Sequence, residues 1–440
     1  MRSVILMCKP ARLWVVSGSL LFSLAGLSQV NSPYSRYGIG DLYGSRNAVS
    51  RGMGGLATAY RDIQSVNFVN PASYSNIGFV TFDVGVEAEF RTLNNKAKTE
   101  RFESSNLIFN YAALGVPLMK NKKKDKTVWG MAFGLRPYSR IRYDIVSSGR
   151  EADIDSIQSE YRGNGGLYNA FLGTGFRLGN LSLGINAGFI FGQKELETYR
   201  SLINDSVFYY TGALVQKTSI NKLAIDAGMQ YDIKLSKNSV LRIGANGYLG
   251  GEATAERERL AETVFFNQYG GADSIDVVTR DKTSGTYTFP AGYSLSLAFE
   301  SQNKLFIGAE YETSKWSDLS AFGQSFQLGD ITMLRFGGHW IPDAYEGRQY
   351  FKQVIYRAGM FTGKDYVVVD GKQLPVFGVS FGAGLPIKRY SAYSTQYNTL
   401  NVSFEYGRRG GTENPYFEKY FKLNFGMSLS DIWFIKRQYD

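Results

Sequence analysis

From Ile77 onward, apolar and polar residues alternate along the chain. In 79–91 one row reads Val80, Phe82, Val84, Val86, Ala88 and Phe90, and the other reads Thr81, Asp83, Gly85, Glu87, Glu89 and Arg91. A period of two puts those rows on opposite faces of a strand. No buried soluble core accepts the second row, whereas a wet lumen does, with the first row facing lipid. The pattern returns in 181–191, where Leu183, Ile185, Ala187 and Phe189 oppose Ser182, Gly184, Asn186 and Gly188. It returns again in 400–407 and in 421–429. Counting such runs predicts about fourteen antiparallel strands, an even number as a single-chain bacterial barrel requires. They fall near 77–92, 104–116, 128–144, 161–178, 181–197, 217–234, 239–256, 286–300, 304–313, 328–341, 353–362, 374–385, 398–408 and 418–429. Tight turns at 179–180, 235–238 and 301–303 alternate with longer connections at 145–160, 198–216, 257–285 and 314–327, the asymmetry expected of periplasmic and outer ends. Longer stretches at 117–127, 342–352 and 386–397 depart from that rule, the first carrying Lys120, Lys122, Lys123, Lys124 and Lys126.

The stretch ahead of the strands has no such period. Residues 29–76 run through Ser32-Pro33-Tyr34, Arg51-Gly52-Met53-Gly54-Gly55 and Asn70-Pro71-Ala72. Its glycines permit close backbone approach and positive φ, and Pro71 fixes a turn and extends Asn70. Leu56, Ala57, Ala59, Val66, Phe68 and Val69 are too apolar for a solvated linker. We therefore expect a plug inside the lumen over 29–76, a barrel over 77–430 and a short tail over 431–440. Residues 1–28 read as a signal peptide: Arg2, Lys9 and Arg12 precede an apolar run from Leu13 to Leu24 and a small-residue exit at 25–28.

Composition narrows the chemistry. Glycine at 49 residues and aromatics at 15% of the 440 suit many strands with aromatic girdles. The single cysteine, Cys8, lies ahead of the apolar run and leaves with the signal, so disulfides, thiolate metal sites and cysteine nucleophiles are not expected. The formal charge of +10 falls by three on processing. Export makes a membrane the expected partner of that basic chain, not nucleic acid. His339 is the one histidine, with no nucleophile motif around it, so neither an enzyme nor a metal or cofactor site is expected. Pro137 interrupts a strand and removes a ladder donor, so the wall should bulge or kink there. Arg136, Arg140 and Arg142 share an inward parity with Tyr138, where they could meet a carboxylate head group or pair with Asp83, Glu87 and Glu89.

The segment closing in Asn70-Pro71-Ala72 resembles the N-terminal hatch of the FadL/OmpP1 family of outer-membrane transporters. Phe289-Pro290-Ala291 resembles that family's Leu-Pro start to a mid-barrel strand, and Trp316-Ser317 its Trp-Ser element one strand later. The resemblance spans about residues 31–430, and it implies passive uptake of hydrophobic small molecules through the outer membrane. It also implies a hatch including Arg51, Gly54, Gly55, Asn70, Pro71 and Ala72, and a lateral gap at the third-strand kink. Phe208, Tyr209, Leu260, Val264, Phe265 and Phe266 are the candidates for an outer-loop capture groove. The opening Ser32 to Asp41 and the ending Trp433 to Arg437 look like the Bacteroidota branch of such barrels. Some of that branch are accessory subunits of outer-membrane assembly or type IX secretion machines. A non-transporting subunit with outer-membrane or periplasmic protein partners is thus the second expectation.

Overall fold

The computed structural model describes residues 32–43, 46–95, 101–121, 126–150, 156–204, 207–267, 271–301, 304–343, 349–387, 396–411 and 413–433. The expected signal peptide and most of the tail lie outside them. Fourteen strands make the wall. They are β1 (Val80–Asn95), β2 (Arg101–Asn121), β3 (Lys126–Arg150), β4 (Ser156–Leu178), β5 (Leu181–Ile203), β6 (Thr211–Lys234), β7 (Ser239–Tyr248 and Gly251–Phe266), β8 (Ala272–Phe289 and Gly292–Ser301), β9 (Leu305–Ser314), β10 (Ile331–Trp340), β11 (Ile355–Val369), β12 (Lys372–Ile387), β13 (Tyr397–Arg409) and β14 (Tyr416–Asp431). Every neighbour is antiparallel, and β14 closes the sheet on β1 from Tyr416↔Asn95 to Asp431↔Val80. The two interrupted strands break at the same height, where Pro290 lacks the donor a ladder needs.

The alternation sorts as expected. Phe82, Val86, Phe90, Leu183, Ile185, Phe189, Leu295, Leu297, Phe421 and Phe425 stand exposed on the outside, and Asp83, Glu87, Glu89, Ser182 and Asn186 are buried within. On β6 the outward apolar row runs Ile233, Tyr231, Met229, Leu223 and ends at Asn221, yet the strand continues to Thr211. Ten residues at about 3.3 Å each, tilted as barrel strands are, carry β6 roughly 25 Å beyond the lipid band. Most of the expected outer loops at 145–160, 198–216 and 257–285 are therefore paired strand. Beyond the lipid both faces of a strand are wet, so the apolar-polar period that marks a strand in sequence disappears while the backbone ladder persists. The long connection at 117–127 is likewise mostly strand, β2 running to Asn121 and β3 starting at Lys126.

Residues 32–43 and 46–78 fill the lumen. Ser32 accepts the Tyr34 N–H and caps a 3-10 turn over Pro33–Arg36, Asn47 caps the one-turn helix Ala48–Arg51, and Asn70 caps a second 3-10 turn over Pro71–Asn76. The core is the plug's contact with the wall. Met53, Leu56, Ala57 and Ala59 have no accessible surface, and Val66, Phe68, Tyr74 and Ile77 pack against Tyr111, Ala113, Ala132 and Phe171. The wall makes room with inward glycines. A Cβ on Gly228 would lie 2.0 Å from the Asn70 Oδ1. We expect Gly228→Leu to unseat the Asn70-Pro71 turn at a cost of about 1–3 kcal/mol, the usual range for overpacking. A lowered urea midpoint checks this, and an unchanged one would mean the turn moves freely.

Candidate functional site

The wall is not continuous around its circumference. Pairing of β2 with β3 runs from Asn121↔Lys126 to Ala112↔Leu135 and stops. Above that point β2 stays on β1, and β3 stays on β4. The parting begins at Arg136-Pro137. Proline offers no N–H to β2, and the register of β3 against β4 slips between Pro137 and Ser139, leaving Tyr138 as a bulge. The bulge resets the alternation. Ser139, Ile141 and Tyr143 take the buried row, and Arg140 and Arg142 take the other, so the parity expected to unite Arg136, Arg140 and Arg142 is broken. On the β2 side of the seam Leu107 and Phe109, opposite Ala88 and Val86, point outward and are exposed, which fits a lipid-facing lip.

The plug stands behind this seam. Asp41 and Leu42 add a two-residue strand to the edge β3 leaves free, opposite Arg140 and Ser139. The Tyr43 N–H donates to the Tyr138 carbonyl at 3.1 Å, and the Ser35 hydroxyl donates to the Arg142 carbonyl at 3.1 Å. Ion pairs pin the same segment across the lumen. Asp41 takes Arg409 at 2.6 Å and Arg91 at 3.2 Å, Arg91 also reaches Glu418 at 3.0 Å, and the Ser32 hydroxyl donates to Glu418.

Deeper pins hold the middle of the plug. Arg46 reaches Glu310 at 2.8 Å and Glu312 at 2.9 Å, and Glu310 also accepts the Ala57 and Thr58 N–H groups. Burial opposes the Arg46 charge, but Glu312 and Glu310 outweigh it and hold the guanidinium above its ordinary value. Arg61 meets Asp232, which also takes Arg177 and Arg242.

The residues expected from sequence fall into three places. Arg51, Gly54, Gly55, Asn70, Pro71 and Ala72 all lie in the plug. Arg51 pairs with Glu87 at 3.0 Å, and the Gly54 N–H donates to Ser380 at 2.7 Å from a φ of +68°, with a would-be Cβ 2.7 Å from the Met360 backbone. Arg136 and Pro137 mark the seam. The acids expected to meet these arginines do not: Arg136 lies 3.6 Å from Asp226, between the Phe68 and Phe171 rings, while Asp83 accepts from Ser65, Val66 and Tyr111 of plug and wall. Phe208, Tyr209, Phe265 and Phe266 sit at the outer tip of the tall wall, the Phe208 and Phe265 rings 6.1 Å apart and tilted by 54°, with Val264 buried beneath against Tyr199. Leu260 lies lower on the same hairpin.

His339 packs between Phe306 and Tyr60 at 5.5 and 5.9 Å. Among the described residues, no group of three His, Cys, Asp or Glu side chains is placed to hold a metal ion. Sequence reasoning missed the acids that anchor the plug, Glu310, Glu312, Asp232 and Glu418. Their inward parity was readable, but their partners lie hundreds of residues away.

A cavity of about 350 Å³ lies between the outer plug segment at Asp41, Leu42 and Tyr43 and the deeper plug at Arg46, Arg51, Gly54, Gly55 and Val69. It runs from Tyr43 and Tyr138 at the seam past Arg136 and Ile190 to Phe289 and Trp316 on the far side. Its lining is part apolar and part charged, and the seam is one of its borders.

A closed antiparallel sheet with a pinned plug, an internal cavity and one parted seam defines the protein as a plugged transmembrane β-barrel. The BamG family model matches residues 7–440, and the chain belongs to that family. No curated protein sequence matches it. Among solved structures, the Pseudomonas putida toluene transporter TodX aligns with a TM-score of 0.54 at 16% identity, over 90% of this chain and 100% of that one. The Ralstonia pickettii toluene transporter TbuX aligns at 0.55 and 12%, over 88% and 98%. A Pseudomonas aeruginosa FadL homologue aligns at 0.53 and 12%, over 88% and 98%. At such identities the likeness is one of fold.

Proposed function

We infer that the protein carries small hydrophobic molecules across the outer membrane by diffusion, without coupling to an energy source. The observation that supports this most directly is the seam between β2 and β3. A transmembrane wall has strong reason to stay paired, since each unsatisfied backbone group in hydrocarbon is costly. Here the pairing stops at Pro137, beside an apolar lip, and a plug segment supplies the missing strand from within. Molecules released from the cavity through that seam would enter lipid without crossing the polar lumen below. The exposed cluster of Phe208, Tyr209 and Phe265 is the surface on which apolar molecules would first collect. The signal-like N-terminus supports export to the outer membrane. TodX and TbuX are named as toluene transporters, so toluene is the first cargo to try.

The test is uptake of radiolabelled toluene by cells with and without the protein. A Leu42→Cys/Ser139→Cys pair stands directly opposite across the plug-wall strand, within disulfide reach. Oxidised, it should bring uptake down to that of cells lacking the protein, and a reductant should restore it. Uptake indifferent to the protein, together with its recovery in a fixed ratio with other envelope proteins after mild detergent extraction, would favour the accessory-subunit role instead.

A further inference from the structure

The wall has a second interruption almost opposite the seam. β9 and β10 are only ten residues each, while β8 on one side and β11 on the other continue upward. Pairing of β10 with β11 ends at Thr332↔Lys364. Above Ser314 and Ile331 a window about two strands wide is left, and the connection 315–330 folds inward to fill it. On its β8 side this connection pairs Ser320 with Thr288 and Ala321 with Tyr287. On its β11 side Leu328 bridges Val367, and the Gly329 N–H donates to the Tyr366 carbonyl at 2.8 Å.

This segment is held differently from the plug. Among the described residues no ion pair ties it to its surroundings. Trp316, Leu319 and Leu328 are buried against Tyr366 and Ile39, and Trp316 forms part of the cavity wall. Its hairpin turns at Phe322 (φ +50°) and Gly323 (φ +77°). Turns with two positive φ values belong to Asn and Gly, and a bulky aromatic at the first position is strained. The surroundings hold it there. The Phe322 ring occupies the space over Gly285, where a Cβ would come within 2.3 Å of it, with Arg257 4.1 Å above the ring and Tyr287 edge-on at 5.9 Å. A strained residue held by a slot made for it is a catch that either grips or lets go.

We propose that residues 315–330 are a lid over a second opening, the entrance for cargo, with Phe322 as its latch. The inference rests on the uptake reading above and assigns the two interruptions different tasks. The outward apolar rows of β9 and β10 end near Tyr311 and Leu334, with Thr313 and Thr332 above them, so the window opens on the outer side of the lipid band. The seam, with its apolar lip, opens on lipid. The route behind the lid passes the rings of Phe289 and Tyr287 and the side chain of Ile190, with the buried Lys222 and Lys194 ammonium groups 5.8 and 5.1 Å from the two rings, an aromatic and cationic lining that suits an uncharged aromatic cargo better than a cation. Lid and hatch also touch. The Tyr366 ring packs on Trp316 of the lid, and its hydroxyl donates to the Tyr37 carbonyl of the hatch at 3.1 Å, so movement of one changes the support of the other.

Toluene uptake by the full-length protein tests this with two cysteine pairs and one further variant. Thr288→Cys/Ser320→Cys joins directly opposite residues of β8 and the lid, and disulfide formation is checked by thiol titration. Oxidised, this lid lock should reduce uptake roughly tenfold, with recovery on reduction, as should the seam lock Leu42→Cys/Ser139→Cys. Phe322→Gly, which removes the latch and relieves the turn, should raise uptake several-fold. If the seam lock stops uptake while the lid lock and Phe322→Gly leave it unchanged, the lid is no entrance, though the uptake reading stands. If neither lock has an effect, both fail.

Discussion

Barrels made without residues 32–76 should conduct ions freely. The plug occupies the lumen from the Pro71–Asn76 turn to the outer segment at Pro33–Arg36, and almost all of it is buried. Its removal leaves an inner surface of carboxylates, arginines, asparagines and serines that water can solvate: Glu87, Glu310 and Asp232 lose Arg51, Arg46 and Arg61 but gain a wet channel. The wall itself closes through strand pairing alone, β14 on β1, with no plug residue in that ladder. The barrel should therefore still fold and should pass ions roughly tenfold or more above the intact protein in planar bilayers. Cells carrying it should become sensitive to bulky antibiotics. Toluene entry would lose its dependence on the seam lock, because the lock partner Leu42 is gone. A plug-less barrel that folds yet stays insulating would show that the outer strands collapse inward, and the plug would then not be what shuts the channel.

The wall was legible because a transmembrane strand records lipid and water in alternate residues. Phe82 and Asp83 sit next to each other in sequence and face opposite media. Where both faces meet water the record stops, so 257–285 looks like a loop although Arg280 and Leu260 stand paired in a long hairpin. The hatch was legible as a segment because its glycines, prolines and apolar residues fit neither a strand nor a linker. Its anchoring was not. Arg46 and Glu310 are 264 residues apart, and nothing local to either announces the other. Pro137 announced a break in the wall, and the broken β2–β3 pairing lies there. The inward folding of 315–330 carried no comparable mark. Trp316-Ser317 stood out only as a family-like element in a connection, and the gap it fills becomes visible only with the shortness of β9 and β10.

Glu310→Ala should release the middle of the plug while leaving the barrel intact. The carboxylate is almost wholly buried. One oxygen takes Arg46, and the other accepts the Ala57 and Thr58 N–H groups at 2.8 and 2.7 Å. Truncation leaves two backbone donors in a dry site, at about 1–3 kcal/mol each. It also leaves Arg46 and Arg335 sharing Glu312 alone, and breaking a buried pair costs about 3–5 kcal/mol. The wall loses nothing comparable, since β9 keeps its ladders to β8 and β10. The expected result is cleavage of the 46–60 stretch by added protease at concentrations that spare the parent protein, with the folded barrel's mobility in cold-loaded gels retained. Glu310→Gln keeps an acceptor for the N–H groups and loses only charge, so it should fall between the two. Lys282→Ala, which removes an exposed pair with Glu256, should change nothing measurable. Equal protease resistance in Glu310→Ala and the parent would mean that Asp41, Arg51 and Arg61 hold the plug without Arg46, and the central pin would lose its assigned role.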